Sequence, residues 1–560
     1  MPNRRPQLWG LLFTFFILAF LWLPPLALYG MALWDVISHQ PARLLEALPL
    51  QLLPRTLFFN TLALGGLTGL LSILLGIPVA IALARGPRPL RPLFTFLCAM
   101  PLALPPTLAA SAFLEITRTP PARSLASLAA SKPLSVSTVL ITSFVLALCY
   151  FPVVAFPTFA ALRAIPQEIE EAARLFGRSW EVWRHVLWPL LSPAIYGGAG
   201  IVCALAMWEM GAPDLLDVRT YSVQIYRDLN APDNLDPQGK AVKAALAGLP
   251  MLALGCLALF PAARALRFYG GNNLSGEVST GEQTFEGTAL PYHKREGRAA
   301  ALLATLIFIA SPTAILGVFI SQLQKPHILY EMWNTNEPEI LNTFALASTA
   351  TLGILLVSFA AATLWRGWPL WWRNVTVALA ITPLLVAPVM LGVALINFWN
   401  RDQFALIYGG LPDTGYPMID ILQEYSARYA MVIIGYAARF LPLSLFLLYE
   451  AVQRTDENLL EAAYNMGATP LQAAWAVLAP LARPALLSVA ALVWALCAGE
   501  LTTTVLINQP GGQTLPLPIF NQMHIGATAE VAALSLILAT MSGGVLLLAA
   551  LILRFWESRF

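Results

Sequence analysis

Long apolar stretches separated by short polar breaks run through almost all of the 560-residue chain. Twelve are long enough to cross a membrane: near 8–30, 57–84, 92–114, 136–160, 194–212, 242–266, 299–321, 342–365, 373–398, 429–451, 484–507 and 529–553. A helix needs about 20 apolar residues to cross a hydrocarbon core of about 30 Å. In lipid, only helices and closed barrels satisfy their own backbone groups, and apolar runs without strict alternation favour helices. The pattern therefore predicts an all-α polytopic membrane protein of about 12 transmembrane helices. The first run, Leu8 to Trp34, follows Arg4 and Arg5 and contains Pro24 and Pro25. It is longer than the core of a signal peptide and reads as a first span.

Composition agrees with a bilayer as solvent. The chain is 58% hydrophobic and 11% charged, against roughly 25% charged residues in soluble domains. A net charge of +2 with no basic run gives no footing for nucleic acid. Cys98, Cys149, Cys203, Cys256 and Cys497 all lie in apolar segments and form no C-x-x-C pair, so they suggest neither a disulfide framework nor a zinc site. Most basic residues near span ends fall on one face of a twelve-span arrangement. These include Arg85, Arg88, Arg91, Arg163, Arg174, Arg178, Arg184, Arg264, Arg366, Arg373 and Arg554. That face is read as cytoplasmic. Arg118, Arg123, Lys132, Arg219, Arg227, Arg401 and Arg428 fall on the other face, together with the acidic stretch from Glu331 to Glu339.

The chain repeats itself. A Gly-, Ser-, Thr- and Glu-rich segment, Gly270 to Gly297, has the composition of a flexible linker. It divides the sequence into a first half over 1–269, a linker over 270–298 and a second half over 299–560. Asn60-Thr61 opens span two as Asn342-Thr343 opens span eight; Phe151-Pro152 matches Leu441-Pro442; Glu209 and Glu500 end spans five and eleven. The offsets are 282, 290 and 291 residues. One polar break also recurs: Glu171-Ala172-Ala173, Gly177 and Pro189 in the first half, Glu461-Ala462-Ala463, Gly467 and Pro480 in the second. Six spans separate the copies, so both face the same side. This is a parallel duplication rather than the inverted repeat common in secondary transporters.

The recurring segment has readable local chemistry. In copy two, Leu459, Leu460, Ala463 and Met466 make an apolar stripe. Gly467 stops the helix in a left-handed turn, Thr469 caps the next helix, Pro470 fits its first turn and Gln472 completes a capping box. In copy one, Ile169, Ala172, Ala173 and Phe176 form the stripe, Gly177 the turn, Ser179 the cap and Pro189 the end of the second helix. Each copy is expected to be helix, glycine turn, helix against the membrane surface. A single copy could simply rest on lipid, but two at equivalent places favour docking against another protein.

These segments resemble the EAA loop of ATP-binding-cassette (ABC) importer permeases, whose pattern is EAA, three residues, Gly, then Pro thirteen residues on. Copy two matches throughout; copy one has Pro189 twelve residues after Gly177. That one-residue difference is expected to alter the second helix rather than the turn. The wider chain resembles the fused twelve-span permeases of ferric-iron, thiamine and 2-aminoethylphosphonate importers, over Asn60 to Arg85, Pro101 to Ala110, Trp208 to Tyr226, Arg439 to Pro442 and Glu500 to Leu538. The resemblance implies a type I ABC importer permease fold of two six-helix halves in a bacterial inner membrane. It implies two copies of an ABC ATPase docked at Glu171, Ala172, Ala173 and Gly177 and at Glu461, Ala462, Ala463 and Gly467. It also implies a periplasmic solute-binding protein as partner. Ferric iron ranks first as solute on overall pattern, with thiamine and phosphonate behind.

Catalysis is not expected. The chain has no G-x-x-x-x-G-K-[ST] phosphate loop, no H-E-x-x-H and no G-x-S-x-G, and its five histidines are scattered. No cofactor or metal is implied, and ATP hydrolysis belongs to a separate subunit. Glu209 and Glu500 remain open to two readings. They are a gate or cation-attracting pair near the pathway, because intramembrane carboxylates usually face a cavity or partner. Or they are solvated helix ends beside Gly211, Pro213 and Gly499. A different class, an ion-gradient-driven secondary transporter, predicts inverted repeats or intramembrane charge pairs and no EAA loops.

Overall fold

A computed structural model of the chain describes residues 4–39, 55–118, 134–176, 179–231, 237–271, 291–323, 325–401, 417–509 and 511–557. Residues 272–290 of the expected linker lie outside the described residues, as do Gly177, Arg178, Arg123, Lys132 and Arg559. Every regular element among the described residues is helical. Among the described residues nine helices are long and apolar enough to cross a membrane, and the number is 12 if each of three bent helix pairs is one span. They fall in order on the twelve expected stretches, so the protein is an all-α polytopic membrane protein.

Three spans are not straight rods. The third, Arg88–Ala103 with Pro106–Thr117, bends by 94°, and the ninth, Leu370–Leu385 with Pro388–Trp399, by 100°. Their breaks match residue for residue. Each passes through a four-residue 3₁₀ turn, Met100–Ala103 or Thr382–Leu385. Leu104 and Val386 then turn extended, with ψ of 124° and 121°. A residue before proline is pushed out of the helical region; this acts on Leu104 and Pro105 in the third span and on Ala387, with ψ of 141°, in the ninth. Non-helical backbone at membrane depth must be shielded by protein; accordingly residues 107–112 and 388–395, which follow the breaks, are buried. The eleventh span bends by 77° between Leu481 and Arg483.

The described helices pack into two compact units that do not follow the sequence halves. One contains Met1–Leu52, Ile225–Leu249 and Leu323–Phe560; the other contains Leu53–Gln224 and Pro250–Gln322. Each therefore includes the opening span of the opposite half. In the first unit the Trp365 indole donates to Thr14 Oγ1 at 2.8 Å, and the Trp22 indole to the Leu379 carbonyl at 2.8 Å. In the second, Ser311 donates to the Leu148 carbonyl at 2.6 Å, and Phe308 packs against Phe94 and Phe151 with ring centroids 5.3 and 6.4 Å apart. A division at the linker thus describes the repeat, and the units describe the packing.

The repeated Asn-Thr pair performs one task twice. Asn60 donates to the Arg219 carbonyl at 3.1 Å, and Thr61 Oγ1 accepts from the Tyr221 amide at 3.2 Å. Asn342 donates to the carbonyls of Gly511 and Gln513, at 3.2 and 3.1 Å, and Thr343 Oγ1 accepts from the Leu515 amide at 2.7 Å. Each pair ties the start of a span to the segment that follows Glu209 or Glu500. The threonines supply acceptors to the buried amides of Tyr221 and Leu515.

Candidate coupling loops and the repeated glutamates

Copy two folds as its residues dictate. Asp456 caps the helix Glu457–Asn465 by accepting from the Asn458 amide at 3.0 Å. Gly467 has φ +86°; its amide donates to the Tyr464 carbonyl at 2.9 Å, and the Ala468 amide to Ala463 at 3.0 Å. Left-handed backbone at this position is what glycine permits at little cost. Thr469 and Gln472 form a reciprocal capping box: the Gln472 amide donates to Thr469 Oγ1 at 3.3 Å, and the Thr469 amide to Gln472 Oε1 at 2.8 Å. The expected apolar stripe divides along its length. Leu460 and Ala463 are buried, whereas Leu459, Tyr464 and Met466 are exposed, the last at 82%. Leu471 and Trp475 continue the exposed edge beyond the turn. Glu461 and Ala462 are exposed beside it.

Copy one has the same plan. Its first helix is Gln167–Phe176, with Glu171 and Ala172 exposed and Ala173 half-buried. Ile169, Leu175 and Trp180 form the exposed apolar edge, Leu175 at 82%. The turn itself, Gly177 and Arg178, lies outside the described residues. Among the described residues the next helix already includes Ser179, which is therefore helical and not at the cap position. Nor does Pro189 end the helix, which runs on to Trp208.

The helix passes Pro189 through a π turn, Trp183–Leu187, closed by the Trp188 amide on the Trp183 carbonyl. Copy two has the same turn at Ala474–Leu478, closed by Ala479 on Ala474, two residues before Pro480. A proline deprives a carbonyl four residues back of its donor and crowds it; widening the preceding turn by one residue relieves both. The π turn and the proline are each 291 residues apart between copies, whereas the glycines are 290 apart. The missing residue of copy one therefore falls between Gly177 and Trp183, before the π turn, and from the π turn to the proline the second helix keeps the geometry of copy two. Only copy two then breaks, at Ala482, before its span.

The two glutamates have diverged. Glu500 is 5% exposed. It accepts a hydrogen bond from Arg439 and another from the Thr503 amide at 2.8 Å. It is therefore no solvated helix end: Arg439 neutralises it, and it stitches the turn after span eleven. Glu209 is half-buried and accepts from the Tyr150 hydroxyl at 3.1 Å. At the position equivalent to Arg439 the first half has Cys149. A lone arginine inside an apolar run was the sequence signal for this pair.

Residues the motif does not mark also meet at loop one. Glu170, one residue before the motif, is buried at 6% and paired with Arg85 and Arg174. Its doubled acid, Glu170-Glu171, is visible in the sequence, but which of the two turns inward is not.

The sequence matches the family of binding-protein-dependent transport system inner membrane components twice, over residues 72–266 and 353–559. The chain belongs to this family. It is a fused ABC permease of the type I fold, and its two family domains set aside the secondary-transporter class. The permease is a transport component and not an enzyme; ATP hydrolysis belongs to a separate subunit. Among its relatives, the putrescine transport system permease protein PotI of Escherichia coli (strain K12) is 25% identical over 259 residues, covering 44% of this chain and 86% of PotI. The Fe(3+)-transport system permease protein FbpB 2 of Haemophilus influenzae is 21% identical over 413 residues, covering 71% of this chain and 74% of that protein. PhnU of Salmonella choleraesuis, named for 2-aminoethylphosphonate transport, is 28% identical over 201 residues, 35% of this chain and 67% of its own length.

Proposed function

We propose that the permease forms a whole solute pathway in a bacterial inner membrane and carries two copies of an ATPase subunit, one on each EAA loop, receiving solute from a periplasmic binding protein. The observation that supports the docking sites is the exposed apolar edge, which both loops present beside an exposed Glu171 or Glu461. Burying one large apolar side chain contributes roughly 1.5–3 kcal/mol, so a few such residues per loop suffice to hold a partner. A carboxylate beside them suits a protein partner with basic groups better than an acyl surface. ATP-driven closure of the two subunits then moves the halves as rigid bodies between inward- and outward-open states. Of the repeated glutamates, we assign the pathway role to Glu209 and an anchoring role to Glu500, which Arg439 seals.

Ferric iron is the solute we favour, because the relative named for Fe(3+) transport aligns over 413 residues and so reaches across both halves of this chain. Uptake by cells carrying the permease with its ATPase and binding protein decides this. Iron accumulation is expected, and saturable uptake of putrescine or 2-aminoethylphosphonate without iron would replace it.

Two further results are expected. The isolated chain hydrolyses no ATP, since it has no phosphate loop; turnover that survives removal of contaminating ATPases would overturn the assignment. Reporter fusions within either EAA loop read as cytoplasmic, whereas a fusion at Glu331 reads as periplasmic. The parallel repeat fails if the two EAA loops report opposite sides.

A further inference from the structure

Loop one adds paired ions to the apolar packing of Ala173 and Val182, where loop two seats Leu460 and Ala463. Arg85 ends the second span with its side chain 8% exposed. A guanidinium so placed needs partners, and it has two carboxylates: Glu170 at 2.8 Å and Glu296 at 2.7 Å. Arg174, one helical turn beyond Glu170, pairs with it from the other side and lies 3.8 Å from Glu296. Two arginines thus balance two glutamates. The second oxygen of Glu296 accepts from the Trp183 indole at 2.9 Å, and Arg85 lies over the same ring, 5.8 Å from its centroid. Glu296 therefore joins the end of span two, the first EAA helix and the π turn leading to span five.

Glu296 also opens span seven: the last residues of the expected linker, 291–298, are not loop but the first turns of the helix Pro291–Phe308 that runs into the span. The helix that carries it approaches span two closely: a Cβ on Gly297 would fall 2.0 Å from the Arg85 carbonyl oxygen. Only glycine allows that contact. Loop two is built differently. At the positions of Glu170 and Arg174 it has Leu460, buried, and Tyr464, exposed. The arginine ending span eight, Arg366, donates instead to the carbonyls of Val452 and Thr455, each at 2.5 Å.

We propose that Glu296 is a positioning residue that latches the first EAA loop to the start of span seven, so that loop, span end and the segment entering from the linker move together. The two ATPase-docking positions are then mechanically unequal: loop one is fixed in register by ions, and loop two rests on apolar contacts beside its own 77° break. Apolar packing could hold a helix as firmly; what paired charges add is a single register. The proposal rests on the EAA loops being the coupling site.

Spin labels on Leu175→Cys and on Met466→Cys, both native residues 82% exposed, report the two loops separately in the reconstituted full-length chain. Cys256, the exposed native cysteine among those described, is replaced by Ala. With Glu296→Gln the label at 175 is expected to gain mobility and the label at 466 to keep its spectrum. In the complex with its ATPase, ATP consumed per solute transported is expected to rise about tenfold, the loss of one charge-assisted hydrogen bond. Glu296→Asp should recover part of both effects. Trp183→Phe, which keeps the ring and removes the N–H, should reproduce them in milder form and decides the matter if Glu296→Gln does not accumulate. An unchanged label at 175, equal loosening at both positions, or a loosened loop one with unchanged coupling overturns the proposal. The mobility arm needs no ATPase, so failure of the latch is distinguishable from failure of the coupling reading.

Discussion

Gly467→Val is expected to uncouple transport from ATP hydrolysis while the chain still inserts and accumulates. The residue sits at φ +86° and a Cβ there would meet nothing within 4 Å. The cost is therefore conformational: a β-branched residue at positive φ is strained by about 1–3 kcal/mol. That is enough to displace a turn held by two backbone hydrogen bonds, of 2.9 and 3.0 Å. Met466 and Leu471, on either side of the turn, are exposed at 82% and 69% and would no longer present one edge. Solute uptake should fall roughly tenfold or more, since each 1.4 kcal/mol of lost docking is a factor of ten. Less ATPase should co-purify, and protein level should hold because the turn is exposed. Gly467→Asn, which tolerates left-handed backbone, should be far milder. Gly177→Val is expected to act in the same direction. If both valine variants transport at the wild-type rate with the ATPase firmly bound, the loops are not the coupling site.

Arg439→Met is expected to be the most destabilising single change in the second half. It leaves Glu500, 5% exposed, without its cation inside an apolar bundle. Removing one partner of a buried pair costs about 3–5 kcal/mol, mostly as the penalty of the charge left behind. Glu500→Gln should cost less, because Arg439 is less buried than Glu500, and the amide oxygen can still accept from Arg439 and from the Thr503 amide. The double variant should recover much of the loss, since it buries no unpaired ion. Thermal unfolding of the purified chain and its level in membranes should both give the order wild type, double variant, Arg439→Met. A double variant no more stable than Arg439→Met would show that the pair does not carry this charge.

Much of the second loop is legible in the sequence. Gly467, Thr469, Pro470 and Gln472 act as their residue types require, because turns and caps depend on a few consecutive residues. Copy one is less so. The shortened spacing to Pro189 predicts an altered second helix, whereas the difference falls before the π turn. A spacing cannot say on which side of the π turn a residue was lost. The π turn before each proline was also hidden, since hydropathy is blind to one extra residue in a helical turn. Likewise the stripe of Leu459, Leu460, Ala463 and Met466 looked like one face, and only the neighbours of Leu460 and Ala463 divide it into a seated edge and a presented one.

By itself the sequence determined the membrane class, the order of the apolar spans, the duplication and the chemistry of the second EAA loop. Each follows from local hydropathy, from short-range spacing or from comparison of the chain with itself. The tertiary structure alone decided that the opening span of each half joins the opposite unit and that spans three and nine turn through about a right angle, 94° and 100°. It alone decided that Glu500 is sealed by Arg439, and that Arg85, Glu170, Arg174 and Glu296 form one cluster. Arg85 and Glu296 are 211 residues apart. Their pairing arises only once helices from both sequence halves are packed side by side, where a buried charge must find its counter-ion wherever the chain has brought one.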